Sequence, residues 1–567
     1  MPKKELLRIL FHVAMAFALV APIFVHPFGY PDNYDFRYFI AWIEAGRRSL
    51  LWYGDFPLWN PWTCGGQVYL ANPQSTIAAP TFLLPLLFGS ALGTKLMLVA
   101  YLFFALDGMY RLARDMKLDV DSALIASIIF GGSGWMGLHL SSGHLNFAGA
   151  ALLPYLMLCH RRSLDEWEWL IPLGAQMAWI VGLGGTSTPA MATVFLGLSA
   201  LIETIRRRNA RAVLTLMAAA IVAVVVGGAR LLPVFEFVND HPRPMFETDH
   251  NGLLFLLGNA FPWRGLQSVS GKRYWFHEYG WKLPYLVWPF LLIGLRWMKA
   301  RWELWLIFVF GLAIAAGSAL PFGPWWLMKN LPLFKDLRVP SRYILFTVFA
   351  TSLLVASSIQ MLFAEKPWRR AAMWGLGAIF AIEVIAFNAW LFKGTFNRTM
   401  ASGQSSAPFF QVTSHWRQMF DEIMLNHGVI GCDEESPLQR ANQLDLGDVP
   451  QARLEDQSLG TVTITRFSPS KIALHVALSA EALVLVNTNW NEHWSTSVGQ
   501  IVKFGDKHPR DRDGGRLGVR VPAGTHDVLV SYRPRSFLIG LLLTGIGGSA
   551  LLIVFVLQRV RRRRISL

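Results

Sequence analysis

Hydrophobic runs separated by short polar loops organise the chain as far as residue 391, and the pattern then changes character. Runs long enough to cross a bilayer, at about 20 residues each, fall at 7–26, 94–110, 121–138, 147–160, 169–184, 188–205, 212–229, 283–298, 304–320, 343–364, 371–391 and 537–558. They predict a polytopic α-helical membrane protein of about twelve spans. The first run has the look of a signal peptide, but its length and the many runs behind it make it a retained span. The stretch 76–93 is apolar yet carries Pro80 and Pro85, so it reads as a re-entrant or interfacial piece buried against protein.

Between about residues 455 and 535 the runs give way to alternation, in TVTITRF, KIALHVAL, ALVLVNTNW, RLGVRVP and HDVLVSYRP. Period two with Val, Ile and Thr, bounded by Gly, Pro and Asn, predicts half-buried antiparallel strands. The expected division is therefore a membrane domain over 1–391 with large outer loops at 27–75, 230–282 and 321–342. An extracytoplasmic region follows over 392–536, with a β-sandwich at about 455–535. A last span and basic tail occupy 537–567. Before the strands, HWRQMFDEIML reads as an amphipathic helix.

Composition agrees with this picture. Of 567 residues 53% are hydrophobic and only 16% charged, too apolar for an ordinary soluble globule. The net charge of +15 would suit a nucleic-acid partner if it lay on a polar domain. Instead Lys3, Lys4 and Arg8, Arg111 and Arg114, Arg161 and Arg162, Arg206 to Arg208, Arg296 and Arg301, Arg369 and Arg370, and Arg559 to Arg564 fall in alternate loops. This is the positive-inside pattern, and it predicts both termini in the cytoplasm and the large loops outside. The segment 392–535 is balanced in charge, so no nucleic-acid partner is expected. Of three cysteines, Cys64 and Cys432 both fall outside, where a bridge can form. Spacing alone does not establish one.

The polar stretch Pro31–Asn72 stands out because it lies between two hydrophobic runs and holds Asp32 and Asp35 just past the outer end of the first span. Carboxylates there can face a lipid-borne substrate without entering hydrocarbon. Around them, PLWNPWTCGGQVYLANPQ, GHLNFAGAALLPYLML, FKDLRVPSRY, LVLVNTNWNEHW and VPAGTHDVLVSYRPRSFLIGLLLT resemble the bacterial YfhO family of polytopic membrane proteins. That family is similar in architecture to the C-type membrane glycosyltransferases of the GT-C fold. The resemblance implies an enzyme of the bacterial cytoplasmic membrane. It would move a sugar from a polyprenyl-phosphate carrier to an extracytoplasmic glycan or glycopolymer acceptor, with a first-loop acid at the active site. Asp32 and Asp35 match that acid; Asn33 and Tyr34 separate them, a departure from an adjacent or single-spacer pair, so which one acts and whether a divalent metal is held stay open.

Such a transfer needs a base for the acceptor hydroxyl and cations for the departing phosphate. Asp35 and Asp32 are the candidates for the first, against plain helix-start roles: Asp32 as an N-cap and Asp35 as a dipole partner. Lys335, Arg338 and Arg342 are the first candidates for the second, and Arg264, Lys272 and Arg273 the next, against interfacial anchoring. His144, His277 and Glu278 are candidates for substrate contact. Trp59, Asn60, Pro61, Gly65 and Gly66 read as makers of the first loop's fold. Trp490, His493 and Trp494 suit either a glycan platform or a sandwich core. Glu383, the acid near mid-span, suits a relay or a bond to a neighbouring helix. No Walker loop, dinucleotide fingerprint or nucleophile elbow is present. A transporter or flippase would be expected to carry paired charges deep in several spans, and the sequence shows almost none. The other alternative is a non-catalytic envelope assembly protein, and the number of spans exceeds what an anchor needs.

Overall fold

The structure, a computed structural model, describes residues 3–565 apart from 32, 186, 242–248, 332–333, 335–336, 365, 400–407, 416–417, 433–443 and 506–514. Asp32 and Lys335 therefore lie outside the described residues. Among the described helices, seven are long and apolar enough to cross a membrane: Ser90–Asp115, Val120–Ser142, Ser187–Arg207, Arg211–Asp240, Pro340–Phe363, Arg369–Phe392 and Arg535–Leu557. They mark the chain as a membrane protein. Other expected spans are shorter or broken helices, among them Lys3–Leu19, Leu153–Ser163, Leu170–Gly182, Val287–Gly294 and Trp302–Ala315. The stretch after residue 76 forms a short helix, Leu83–Phe88, broken at Gly89 before the Ser90–Asp115 helix begins.

Burial sorts the seven. In Val120–Ser142 and Pro340–Phe363 the apolar windows are 94% and 89% buried, against 22% in Arg211–Asp240 and 6% in Arg535–Leu557, so the first two are the centre of the bundle and the other two lie at its rim. Pro340–Phe363 carries polar side chains among apolar surroundings because Thr351, Ser352 and Ser358 each donate to the carbonyl one turn back. The last span packs on Arg211–Asp240 through glycines. A Cβ added to Gly540 would lie 2.2 Å from the Gly228 carbonyl oxygen, the close backbone approach that small residues permit between membrane helices. Glu383 resolves as half of an ion pair, accepting from Lys282 Nζ at 2.7 Å and from the Tyr285 amide.

The alternating segment forms two four-stranded antiparallel sheets. One runs in the order Gln500–Phe504, Arg516–Val521, Ala482–Asn489, Ala452–Leu454; the other Gly460–Ser468, Lys471–Leu478, Gly524–Tyr532, Trp494–Thr496. Leu474, Val476, Val484, Val486, Leu517, Val519, Val528 and Val530 point inward at alternate positions, the pleat's own period. The expected amphipathic helix shortens to Met419–Met424.

The sandwich does not stand apart from the first loop. After the helix Tyr34–Leu51 the chain makes a small hairpin, Trp59–Asn60 with Gln67–Val68, and Trp59, Val68 and Ala71 join the sandwich core. Trp59 lies 5.3 Å from the Trp494 ring and 4.8 Å from Tyr532, and its Nε1 donates to Thr488 Oγ1. Asn489 donates to the Cys64 and Gly66 carbonyls, and Asp55 accepts from the Ser470 amide at 2.7 Å. Trp494, 4% exposed, is thus core and not a glycan platform: burial beside Trp59 leaves no ring face for a sugar. Cys64 and Cys432 form a disulfide across 368 residues, with Cα atoms 4.9 Å apart. The bond fastens this loop from a second direction.

Candidate active site

Asp35 opens the first turn of the helix Tyr34–Leu51. The N-cap is Asn33, not Asp32; its side chain makes no capping bond, and its Nδ2 donates instead to the Ser141 carbonyl at 2.7 Å. That bond ties the start of the first-loop helix to the end of the Gly134–Ser142 helix. The second helix ends in a Schellman turn: Gly143 takes φ +96°, and the His144 amide donates back to the His139 carbonyl at 3.0 Å. A Cβ at Gly143 would meet the Phe36 nitrogen at 2.2 Å, so glycine is required both by conformation and by the backbone it rests against.

A Schellman turn normally brings two apolar side chains into contact across it. Here both positions are imidazoles. His139 Nδ1 and His144 Nδ1 are 2.9 Å apart, and His144 Nε2 lies 2.5 Å from Asp35 Oδ2. The His139 ring is buried, stacked on Phe147 at 4.6 Å and leaning on Trp135 at 4.3 Å. The His277 ring meets His144 edge-on at 4.8 Å. Beside it, buried Glu278 receives the Arg342 guanidinium in a fork, at 2.7 and 2.5 Å, the bidentate geometry of a strong pair. Arg342 also reaches Ser187 and covers the Phe147 ring at 4.7 Å.

Burial alone would raise the Asp35 carboxyl, but the His144 ring bonded to it outweighs this and holds the group below its ordinary range. Protein surrounds Asp35 at longer range, yet 40% of its side-chain surface is open. An ionised carboxylate with one side open results. Burial likewise opposes ionisation of Glu278, and Arg342 reverses it, leaving that carboxyl well below its usual range. Burial pushes His277 down to about 4, so its ring is neutral at pH 7.

The structure brings together Asp35, His144, His277, Glu278 and Arg342. It leaves others apart. Lys272 donates to Asn251 Oδ1 at 2.7 Å and sits over Phe255, while Arg264 lies 5.8 Å above the Phe276 ring. Arg273 and Arg338 lie with Arg342 within electrostatic reach of Tyr274, whose hydroxyl is buried with no hydrogen-bond partner among the described residues. Sequence reasoning missed His139 and Tyr274. The spacing in HLSSGH was the available signal for the first, since a glycine five residues into such a run turns the chain back on itself.

His144, His277 and Glu278 form the group among the described residues whose donor atoms, within 4.8 Å of one another, come near enough to hold a metal ion. The donor types suit a divalent transition metal. Their present bonds do not: Arg342 holds both Glu278 oxygens, and both His144 nitrogens are engaged by Asp35 and His139. No step is routed through a metal.

No protein-family model and no curated protein matches this chain. Among solved structures it is similar to ArnT from Cupriavidus metallidurans bound to undecaprenyl phosphate, at 13% identity over 75% of this chain and 85% of that one, with a TM-score of 0.47. It is similar to the arabinofuranosyltransferase AftD from Mycobacteria, at 13% identity over 94% of this chain but 40% of AftD, with a TM-score of 0.49. The apo oligosaccharyltransferase of Archaeoglobus fulgidus matches at 11% identity over 77% of this chain and 65% of that one, with a TM-score of 0.43. All three scores fall under one half, so the likenesses carry no conclusion about this chain's fold or activity.

Proposed function

We propose that this protein is a membrane glycosyltransferase that moves a sugar from a polyprenyl-phosphate carrier to an extracytoplasmic acceptor hydroxyl, with Asp35 at the point of attack. The observation that carries the reading is the Asp35 carboxylate, held ionised by His144 yet open on one side, at the end of the bundle where the basic loops are absent. The positive-inside pattern supports an outward site in a bacterial cytoplasmic membrane, with both termini in the cytoplasm.

In the proposed step the acceptor oxygen attacks the anomeric carbon, and the bond from that carbon to the phosphate oxygen breaks. The electron pair leaves with the lipid phosphate. The hydroxyl proton goes to Asp35. A carboxylate below its ordinary pKa is a weak base, so its first service is to orient the hydroxyl and its second to accept the proton late, once the oxygen has bonded. Arg273 and Arg338, beside Tyr274, supply positive field for the departing phosphate. Arg342 contributes charge but no free fork, because Glu278 holds it.

The test is a covalent one. Reconstituted protein is given a panel of radiolabelled polyprenyl-phosphate sugars and candidate envelope glycans, and product is sought on the acceptor. Transfer that vanishes with Asp35→Asn supports the reading. Movement of the lipid-linked sugar across the bilayer with no covalent product replaces it with the transporter.

A further inference from the structure

We infer that His139 is a positioning residue that fixes the hydrogen on His144 Nε2, and so fixes the hydrogen bond that His144 gives to Asp35. The inference rests on the reading of Asp35 as the attacked site's carboxylate, but its chemistry is local. Two imidazole nitrogens 2.9 Å apart share one proton: two would repel and none would leave no bond. If that proton belonged to His144 Nδ1, His139 would accept it and carry its own hydrogen on Nε2. A doubly protonated His144 would force the same state on His139.

Nε2 of His139 is buried and has no partner among the described residues. A buried N–H without an acceptor is the costlier of the two orphans, since an N–H is rarely left unpaired and a lone pair more often is. The hydrogen therefore sits on His139 Nδ1 and is donated to His144 Nδ1. His144 then carries its hydrogen on Nε2, 2.5 Å from Asp35 Oδ2. Phe147 and Trp135 clamp the His139 ring in its plane, so the choice is built into the packing. A hydrogen bond to the far ring nitrogen sets tautomer and ring orientation in other histidine sites.

The experiment uses the full-length protein with 15N-labelled histidine in detergent or nanodiscs. Long-range proton–nitrogen spectra, assigned with His144→Gln, report which nitrogen of His144 bears hydrogen. The wild type is expected to show Nε2–H. His139→Phe keeps the stack on Phe147 but offers no nitrogen; it is expected to mix the two His144 forms and to lower kcat by about tenfold with KM for the donor little changed. His139→Asn, whose side-chain amide can donate from nearly the same place, is expected to restore both the Nε2–H signal and the rate. A wild-type His144 bearing hydrogen on Nδ1, or a His144 spectrum unaltered by His139→Phe in a folded protein, overturns the inference. Because the spectrum needs no substrate, it stands or falls separately from the glycosyl-transfer reading.

Discussion

Two clusters of acids, histidines and arginines, one around Asp107 and one around Asp35, are wired differently. At the arginine-rich end Asp107 is 3% exposed on its side chain. It takes hydrogen bonds or ion pairs from Arg8, Arg111 at 2.6 Å and Tyr155, with His12 at 3.4 Å. At the other end Asp35 has one recorded partner among the described residues, His144, and keeps 40% of its surface. A carboxylate saturated on every side has no capacity left for a substrate; it is a fastening. A carboxylate held at one oxygen has acceptor capacity to spare, and that is the structural mark of a working group. The contrast separates the two clusters where residue type alone does not.

The contrast breaks most decisively at Asp35. Asp35→Asn is expected to lower transfer by about 100- to 10,000-fold without loss of folded protein. Asp107→Asn is expected to leave turnover per folded molecule near normal while costing about 3–5 kcal/mol of stability. Specific activity and thermal unfolding on both variants decide it, and a silent but stable Asp107→Asn protein would erase the distinction. Next comes Glu278, a saturated acid inside the open site. Glu278→Gln strands half-buried Arg342 and should destabilise by about 3 kcal/mol. Since Arg342 holds the folded-state Glu278 carboxyl below its unfolded value, its stabilisation is present above the ordinary carboxyl range and is lost as pH falls through the folded value. The acid limb of the unfolding curve should flatten in the Gln variant.

A smaller effect tests the packing of the first loop into the sandwich. Trp59→Ala opens a hole among Trp494, Tyr532 and the strands, expected to cost about 3 kcal/mol, and activity should fall with stability and not ahead of it. The smallest is chelation. With the donor atoms of His144 and Glu278 already bonded, extensive treatment with EDTA should change the transfer rate by about twofold or less. A tenfold loss reversed by one divalent ion would show that Arg342 and His144 exchange partners on metal binding.

Seven of the expected spans and the sandwich were legible because each rests on a local signal: 537–558 and 371–391 on long, mostly apolar runs, KIALHVAL on alternation. Asp35, His144, His277, Glu278 and Arg342 were legible as types in polar outer stretches. Their partnerships were not, since Arg342 finds Glu278 across 64 residues and Cys64 finds Cys432 across 368, distances over which no pattern in the chain carries information. Trp494 had two readings until Trp59 settled it by filling the same core. His139 was hidden for the opposite reason. It sits in an apolar helix where an isolated histidine suggests nothing, and only the turn at Gly143 gives it a companion.

The union of the first loop with the sandwich also has a consequence for biosynthesis. Trp59 leaves the ribosome 429 residues ahead of Thr488, to which its indole donates. At about 5–20 residues per second that is roughly 20–90 s of translation, during which the indole has neither its core nor its hydrogen-bond acceptor. Packing of the first loop therefore waits for most of the polypeptide to be made. A chain truncated before the strands would lack the core that holds Trp59, Val68 and Ala71.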